Sequence, residues 1–426
     1  MKKIFLLLSV WFLVTVANAN GPWRTFNDLN AVFPSNIVVA VEFDSDNTIW
    51  LGSVYGGVAH YIPWQTTWII YNDTTSSMPS NEVRSIALAN DGTQWFGTKL
   101  GLVHKVGEQL TVYTTSNSNL PNDKINLLRK DVNGTIWAGT DGGGIVKIPT
   151  SGAWEIINTS NSGLPDNKIS SLEFQGSTTW IGTTNGGLAK LDGANWTVYN
   201  QSNGDFLSDR IYALGIQGND VFARLAEKPY KLNNNTWDTL TGDFGLPNFY
   251  NRKIVFDNDG KAWFDKYFVV IDTVSVPDSV IYQNQYALQS YNGTEIDTIF
   301  TSNNSGIAAS RVFSLHMDGN GTLWIGCLGA TAGRMSLYNR TGVPDFVASI
   351  DDVFKSNEFT VFPNPSSDFV NFDIANDAKV KVYDVLGNLI SEVQGGYQNI
   401  SSWKAGIYIL ECEKNGLLRR TKLLKI

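Results

Sequence analysis

Four polar residues recur at one place in a repeated unit: Glu42, Arg129, Glu173 and His316. Each ends a short apolar run and precedes a tryptophan by seven or eight residues. A histidine, two carboxylates and a guanidinium on neighbouring strands form a usable acid–base set, since imidazole and carboxylate exchange protons near neutral pH. His316 and Glu173 are the catalytic candidates on this reading. The preferred alternative makes all four a self-satisfied polar lining. His60 and His104 stand where Lys147 and Lys190 stand in later units and read as repeat variation. The chain has no Gly-x-Ser-x-Gly elbow, no His-Glu-x-x-His motif and no phosphate loop. Paired carboxylates for glycoside cleavage are defined by distance, which a sequence does not state.

A second group of residues suits binding rather than catalysis. Arg84, Asn126, Tyr212, Arg252 and Arg311 open the apolar runs, with Glu82, Asp123, Lys168 and Arg210 beside them. Tyr55, Lys99, Asp141, Asn185 and Lys228 fall in turns further along the units. Guanidinium binds carboxylates in bidentate fashion, and aromatic faces accept cations or sugar rings. These positions vary between units while the anchors do not. Ordinary solvated loop charge is the alternative for each. Calcium is a weaker expectation: Asp44-Ser45-Asp46, Asp257–Gly260 and Asp318–Gly321 resemble calcium loops but lack the acidic twelfth position. The same places need turn residues anyway. No other cofactor is expected.

The elements that must carry these residues follow from the repeat. Its core is Trp-x-Gly-Thr, then Gly-Gly, then an apolar and a basic residue. Clear copies begin at Trp50, Trp95, Trp137 and Trp180, with degenerate ones at Phe222, Trp263 and Trp324. Their spacings of 45, 42, 43, 42, 41 and 61 residues, with four strand-like runs each, predict a seven-bladed β-propeller. In one unit the strands are expected at Lys124–Asp131, Thr135–Thr140, Gly144–Ile148 and Trp154–Asn158. Each second strand sends an aromatic between blades, and the glycine two positions on (Gly52, Gly97, Gly139, Gly182, Gly326) allows close approach. The seventh unit lacks a fourth strand before Pro344. Trp23–Phe26 resembles the fourth strands and is expected to close the ring, removing exposed edges. The long spacing places an insertion around 265–286, between second and third strands of blade six. Insertions on repeat scaffolds are often functional.

Bulk properties agree with an exported all-β protein. Hydrophobic residues are 42% and charged residues 17% of 426, with 14 tryptophans. A net charge of −8 argues against nucleic acid as a partner. Lys2 and Lys3, the apolar run Ile4–Val16 and Ala17-Asn18-Ala19 read as a signal peptide over residues 1–19. No later run is long enough for a transmembrane helix. Cys327 and Cys412 fall in different expected domains and read as two buried thiols, with a disulfide the alternative.

Two resemblances carry the reading further. The text Leu-Pro-x-Asn-x-(Val/Ile) followed by Trp-x-Gly-Thr-x-x-Gly-Gly, over residues 37–340, resembles the two-component regulator propeller repeats of Bacteroidota. In that family they form extracellular sensor modules, many responding to glycans. The C-terminal segment carries Pro363-Asn364-Pro365, Gly387 within Tyr-Asp-Val-Leu-Gly, Gly406 and Tyr408 within Ala-Gly-Ile-Tyr, and Lys422 and Lys425 near the end. It resembles the type A sorting domain of the type IX secretion system. That implies export to the outer-membrane surface or medium, with the secretion machinery as a partner.

The expected organisation is therefore a signal peptide (1–19), a seven-bladed propeller (20–345), a linker (346–357) and a small Ig-like β-sandwich that sorts the protein (358–426). The preferred function is binding of an extracellular ligand, a glycan or other polymer, on the loop face. A propeller lyase and a structural or adhesive surface protein that meets protein partners are the alternatives.

Overall fold

The computed structural model describes residues 22–26, 35, 37–45, 48–62, 67–226, 228–247, 251–272, 281–301, 304–307, 311–328, 335–341, 361–362, 366–372, 379–384, 389–394, 396–414 and 417–425. The expected signal peptide, the linker and the tip of the blade-six insertion lie outside these residues. Seven four-stranded antiparallel sheets form the blades of a propeller. Inner strands are Val38–Phe43, Val83–Leu88, Ile125–Lys130, Ile169–Gln175, Ala213–Gln217, Val255–Phe256 and Arg311–Met317. In the third blade they are followed by Ile136–Thr140, Ile145–Ile148 and Glu155–Ile157, within a residue or two of expectation.

The repeat text has a direct physical explanation. In the four clear copies the tryptophan lies opposite the basic position of the next strand: Trp50 faces His60, Trp95 His104, Trp137 Lys147 and Trp180 Lys190. The two imidazoles stack flat on their indoles, 3.8 and 3.9 Å between centroids. The lysine ammonium groups lie over theirs, at 4.9 Å from Trp137 and 5.6 Å from Trp180. His and Lys are thus interchangeable covers for a π face. The other side of the aromatic layer packs against the neighbouring blade: Trp50 meets Phe96, and Trp180 meets Trp237.

Glycine is required where blades touch. A Cβ on Gly139 would stand 2.8 Å from Ile169 Cγ2 of the next blade, closer than carbon atoms approach. Gly144, at the turn into the third strand, has φ +84°, and a Cβ there would lie 2.2 Å from Ile157 O. The interblade links are stapled by the Asn or Asp of Leu-Pro-x-Asn-x. Asp123 Oδ1 accepts the Thr115 amide at 2.6 Å, as Asn167 Oδ1 accepts that of Thr159 at 2.8 Å.

The ring closes as the sequence predicts. Trp23–Phe26 pairs antiparallel with Met335–Tyr338 and completes the sheet of blade seven. Trp23 packs edge-on against Phe300 of blade six, at 4.9 Å, and against Tyr338 at 4.8 Å. One strand from the start of the chain therefore joins the two ends of the ring. Cys327 lies in this part of the core, and Cys412 in the C-terminal domain; both are buried.

Blade six departs from the repeat in the expected place. Its second and third strands, Ala262–Asp272 and Ile281–Tyr291, are 11 residues each and pair along their whole length. The insertion is thus a hairpin that prolongs the blade at its second-to-third turn. Its inner strand, by contrast, is only Val255–Phe256.

The C-terminal residues form two further sheets. One contains Val361–Phe362, Phe369–Phe372 and Gly396–Asn399, the other Leu389–Gln394, Lys379–Tyr383, Gly406–Lys414 and Leu417–Lys425. Alternation puts Val370, Phe372, Val380, Val382, Leu410 and Leu423 into a shared core, making the expected small sandwich. Gly406 pairs with Lys425, and Tyr408 closes a hydrogen bond to Lys404 O at 2.8 Å while packing on Trp403. Lys425 is buried. Pro363, Asn364, Pro365, Gly387 and the side chain of Lys422 lie outside the described residues.

Candidate functional site

Inner strands run from the interblade links down the wall of the central channel. The links and the second-to-third turns therefore share one face, and the first-to-second turns lie on the other. Arg84, Asn126, Tyr212, Arg252 and Arg311 all sit at the link end of their strands. Tyr55, Lys99 and Asp141 join them from turns on the same face.

The structure ties several of these together. Arg84 donates Nε to Glu82 Oε1 at 2.8 Å and Nη1 to Asn126 Oδ1 at 2.9 Å. Asn126 in turn donates Nδ2 to Ile169 O at 2.9 Å, so one chain of bonds crosses blades two, three and four. Asp141 pairs with Lys124 and, at 3.3 Å, with Lys168. Burial acts to raise the Asp141 carboxyl, but bonds from Lys124 and Asn126 and the charge of Lys168 hold it below the usual carboxylate range. Lys99 is exposed and only 3.8 Å from Glu82. Tyr55 is 71% exposed, set apart from this network. Tyr212 lies under the Arg210 guanidinium at 4.9 Å.

Arg252 reaches furthest. From blade six it donates Nη1 to Ser170 O of blade four at 2.6 Å, spanning the channel past blade five. Burial, with Arg84 and Arg129 nearby, pushes its pKa down to about 10. Arg311 lies over Phe313 at 5.0 Å and over Tyr286 of the long hairpin at 5.5 Å. Its Nε is buried without a hydrogen-bond partner among the described residues.

From the link end into the channel, Glu42, Arg84, Arg129, Arg252, Lys253 and His316 line a single cavity of about 40 Å³. Three of the four expected channel residues thus share it. Glu173 is drawn aside by an ion pair with Arg129, at 3.1 Å. No hydrogen bond joins His316 to Glu173 among the described residues. Glu42 accepts from Lys253 at 3.4 Å. Burial acts to raise its carboxyl, yet Lys253, His316 and Arg129 hold it below the ordinary value. Burial pushes His316 down to about 4, despite the counteracting Glu42 charge. Its ring is neutral at pH 7 and lies 5.1 Å from Phe43.

Lys253 and Asn251 escaped sequence reasoning. The irregular, two-residue inner strand of blade six hides their register. The signal available was their place next to Arg252. Asn251 is buried and donates to Asp265 Oδ1 at 2.6 Å, which anchors the base of the long hairpin to the channel wall.

The aspartates of the calcium-like loops have other duties. Asp257 Oδ1 accepts the Asp259 and Lys261 amides, and Oδ2 accepts the Trp263 indole at 3.0 Å. Asp318 does the same for Asn320, Thr322 and Trp324. Asp131 repeats the arrangement beneath Trp137. Asp44 Oδ1 accepts the Ser45 amide. Among the described residues no group of three or more His, Cys, Asp or Glu side chains is arranged to hold a metal.

Residues 360–425 match the family of secretion system C-terminal sorting domains. By sequence, no curated protein matches the chain. Among solved structures, the extracellular domain of the putative hybrid two-component system BT3049 from B. thetaiotaomicron superposes with a TM-score of 0.58 at 18% identity, over 95% of this chain and 57% of that one. PorZ, a surface component of the type IX secretion system of Porphyromonas gingivalis, gives 0.53 at 16% identity, over 92% and 60%. Virginiamycin B lyase from Staphylococcus aureus gives 0.53 at 13% identity, over 74% and 99%. The chain thus spans less than two thirds of the first two. At these identities the likeness establishes the propeller fold. No helix among the described residues is long and apolar enough to cross a membrane. The chain is an all-β propeller protein that carries, at its C-terminus, a type IX secretion system sorting domain, and it belongs to the secreted or cell-surface proteins that this domain delivers.

Proposed function

We propose that the propeller binds an extracellular ligand, a glycan or other polymer, on the face that bears the interblade links. The observation that carries this reading is the concentration of Arg84, Arg252 and Arg311 at the channel mouth, where Arg84 and Arg252 bond across to other blades. The long hairpin of blade six stands on the same face and touches Arg311 through Tyr286. A rigid ring with varied side chains at one end preorganises a binding surface and reduces the ordering cost of association. Exposed Leu100, Leu207 and Leu246 share that face and favour a protein partner as the second reading. The candidates for catalysis lend no comparable support: Glu173 is held in an ion pair, and His316 is buried with its pKa near 4.

A thermal-shift screen of the full chain against polysaccharides and surface proteins tests the reading. A ligand at 100-fold its dissociation constant stabilises by about 2.7 kcal/mol. The shift is expected to vanish in Arg84→Ala and Tyr55→Ala and to persist in Lys130→Gln, whose side chain is exposed at the opposite end of an inner strand. A ligand whose shift survives both link-face substitutions would place binding elsewhere.

A further inference from the structure

We infer that the channel mouth is an oxyanion site that takes the carboxylate or sulfate group of an acidic polysaccharide lying on the link face. The inference deepens the preceding proposal and rests on it. Four cations, Arg84, Arg129, Arg252 and Lys253, line one cavity with a single carboxylate, Glu42. Three of them are already matched. Glu82 pairs with Arg84, Glu173 with Arg129 and Glu42 with Lys253. Arg252 makes no ion pair among the described residues. Its one hydrogen bond goes to a neutral backbone oxygen, Ser170 O. A guanidinium carries five N–H donors, so Arg252 keeps most of its capacity for a planar, bidentate acceptor.

The surroundings make this unmatched charge costly. Arg84 and Arg129 press the Arg252 pKa down beyond the effect of burial, and the charge of Asp141 offsets this only in part. An anion beside Arg252 would relieve that repulsion. The cations gather although the chain as a whole carries −8, so bulk charge does not explain them. Arg311, at the link end of blade seven, adds a buried Nε with no hydrogen-bond partner among the described residues.

The size of the cavity selects what enters. About 40 Å³ holds two or three waters' worth of space, enough for one oxyanion group and too little for a sugar ring. The rest of the ligand must lie outside, on the link face, where Tyr55 is exposed. A polymer bearing its charge on a short substituent meets both conditions. Uronate carboxylates and sulfate esters do so, whereas a neutral glycan offers Arg252 only hydroxyl acceptors and no opposite charge.

The test measures binding of the full chain to polygalacturonate, dextran sulfate and neutral dextran by isothermal titration calorimetry. Poly-glutamate is included as an acidic peptide. The expected result is binding of one or both acidic polysaccharides and none of dextran; which of the two binds separates carboxylate from sulfate. Arg252→Gln should weaken that binding about 10- to 100-fold, the usual range for one charge-assisted contact. Lys130→Gln should change it less than about twofold. Because Arg252→Gln also touches the Ser170 contact, competition on the wild-type chain supplies a second measurement. Free galacturonate or inorganic sulfate should displace the polymer at concentrations where glucose does not. Equal affinity of Arg252→Gln, equal binding of dextran, or preference for poly-glutamate would overturn the inference, while leaving a link-face ligand in place. Failure of every polysaccharide and protein in the wider screen would remove the binding proposal itself.

Discussion

Replacing His316 with phenylalanine should flatten the pH dependence of stability between about pH 6.5 and 4. The imidazole is buried in the channel wall, facing Glu42, Lys253 and Arg129, with Asp318 further along its strand. Its folded pKa is about 4, against about 6.5 in the unfolded chain. The unfolded chain therefore takes up a proton first as the solution is acidified. The contribution of the neutral ring is fully present above about pH 6.5 and is lost as pH falls toward 4. The slope across that window is about 1.4 kcal/mol per pH unit. Between pH 6.5 and 5, above the main carboxylate range, the loss attributable to His316 is about 2 kcal/mol. His104, whose pKa burial also lowers, contributes with the same sign, so the comparison must be between variants rather than absolute. Urea unfolding of wild type and His316→Phe at pH 7, 6 and 5, followed by tryptophan fluorescence, reads the difference. Phenylalanine keeps the contact with Phe43 and removes the proton acceptor. Parallel loss of stability in the two chains would refute the burial and the depressed pKa together.

Three further outcomes follow from the packing. Trp23→Ala should lower stability by about 3 kcal/mol, because it empties the space against Phe300 and Tyr338 at the point of ring closure; an unchanged urea midpoint would show that the first strand does not close the ring. Gly139→Val should cost about 1–3 kcal/mol or more, since its Cβ meets Ile169 of the next blade at 2.8 Å, and thermal unfolding measures it directly. Asp131→Ala should cost about 2 kcal/mol by leaving the Asn133 and Thr135 amides and the Trp137 indole without their acceptor; amide hydrogen exchange at that turn should accelerate as well.

The repeat made most of the scaffold legible because its residues act locally and repeatedly. A tryptophan, its cross-strand cover and a glycine two positions on recur where the second strand meets the third in blades one to four. The Asn or Asp of the links after blades one to four does likewise: Asn81, Asp123, Asn167 and Asp209 occupy the same place and make the same bond, so Asp123, grouped in the sequence with the binding candidates, holds its link. Blade six resisted because its inner strand is two residues long and its insertion shifts the spacing. Lys253 and Asn251 went unnoticed there.

The sequence by itself determined the number of blades, the closing strand, the position of the insertion and the sorting domain. Each depends on periodicity or on a short contiguous pattern, and strand pairing between sequence neighbours follows from it. Only the tertiary structure decided which polar residues meet. Arg252 touches Ser170 across 82 residues of chain, and Lys253 touches Glu42 across 211. Glu173, similar to its repeat counterparts in the sequence, is turned to Arg129 and away from His316. Ring closure brings all inner strands to one axis, so the charges in the channel are matched around a circle and not along the chain. That matching, which leaves Arg252 over, has no local signature.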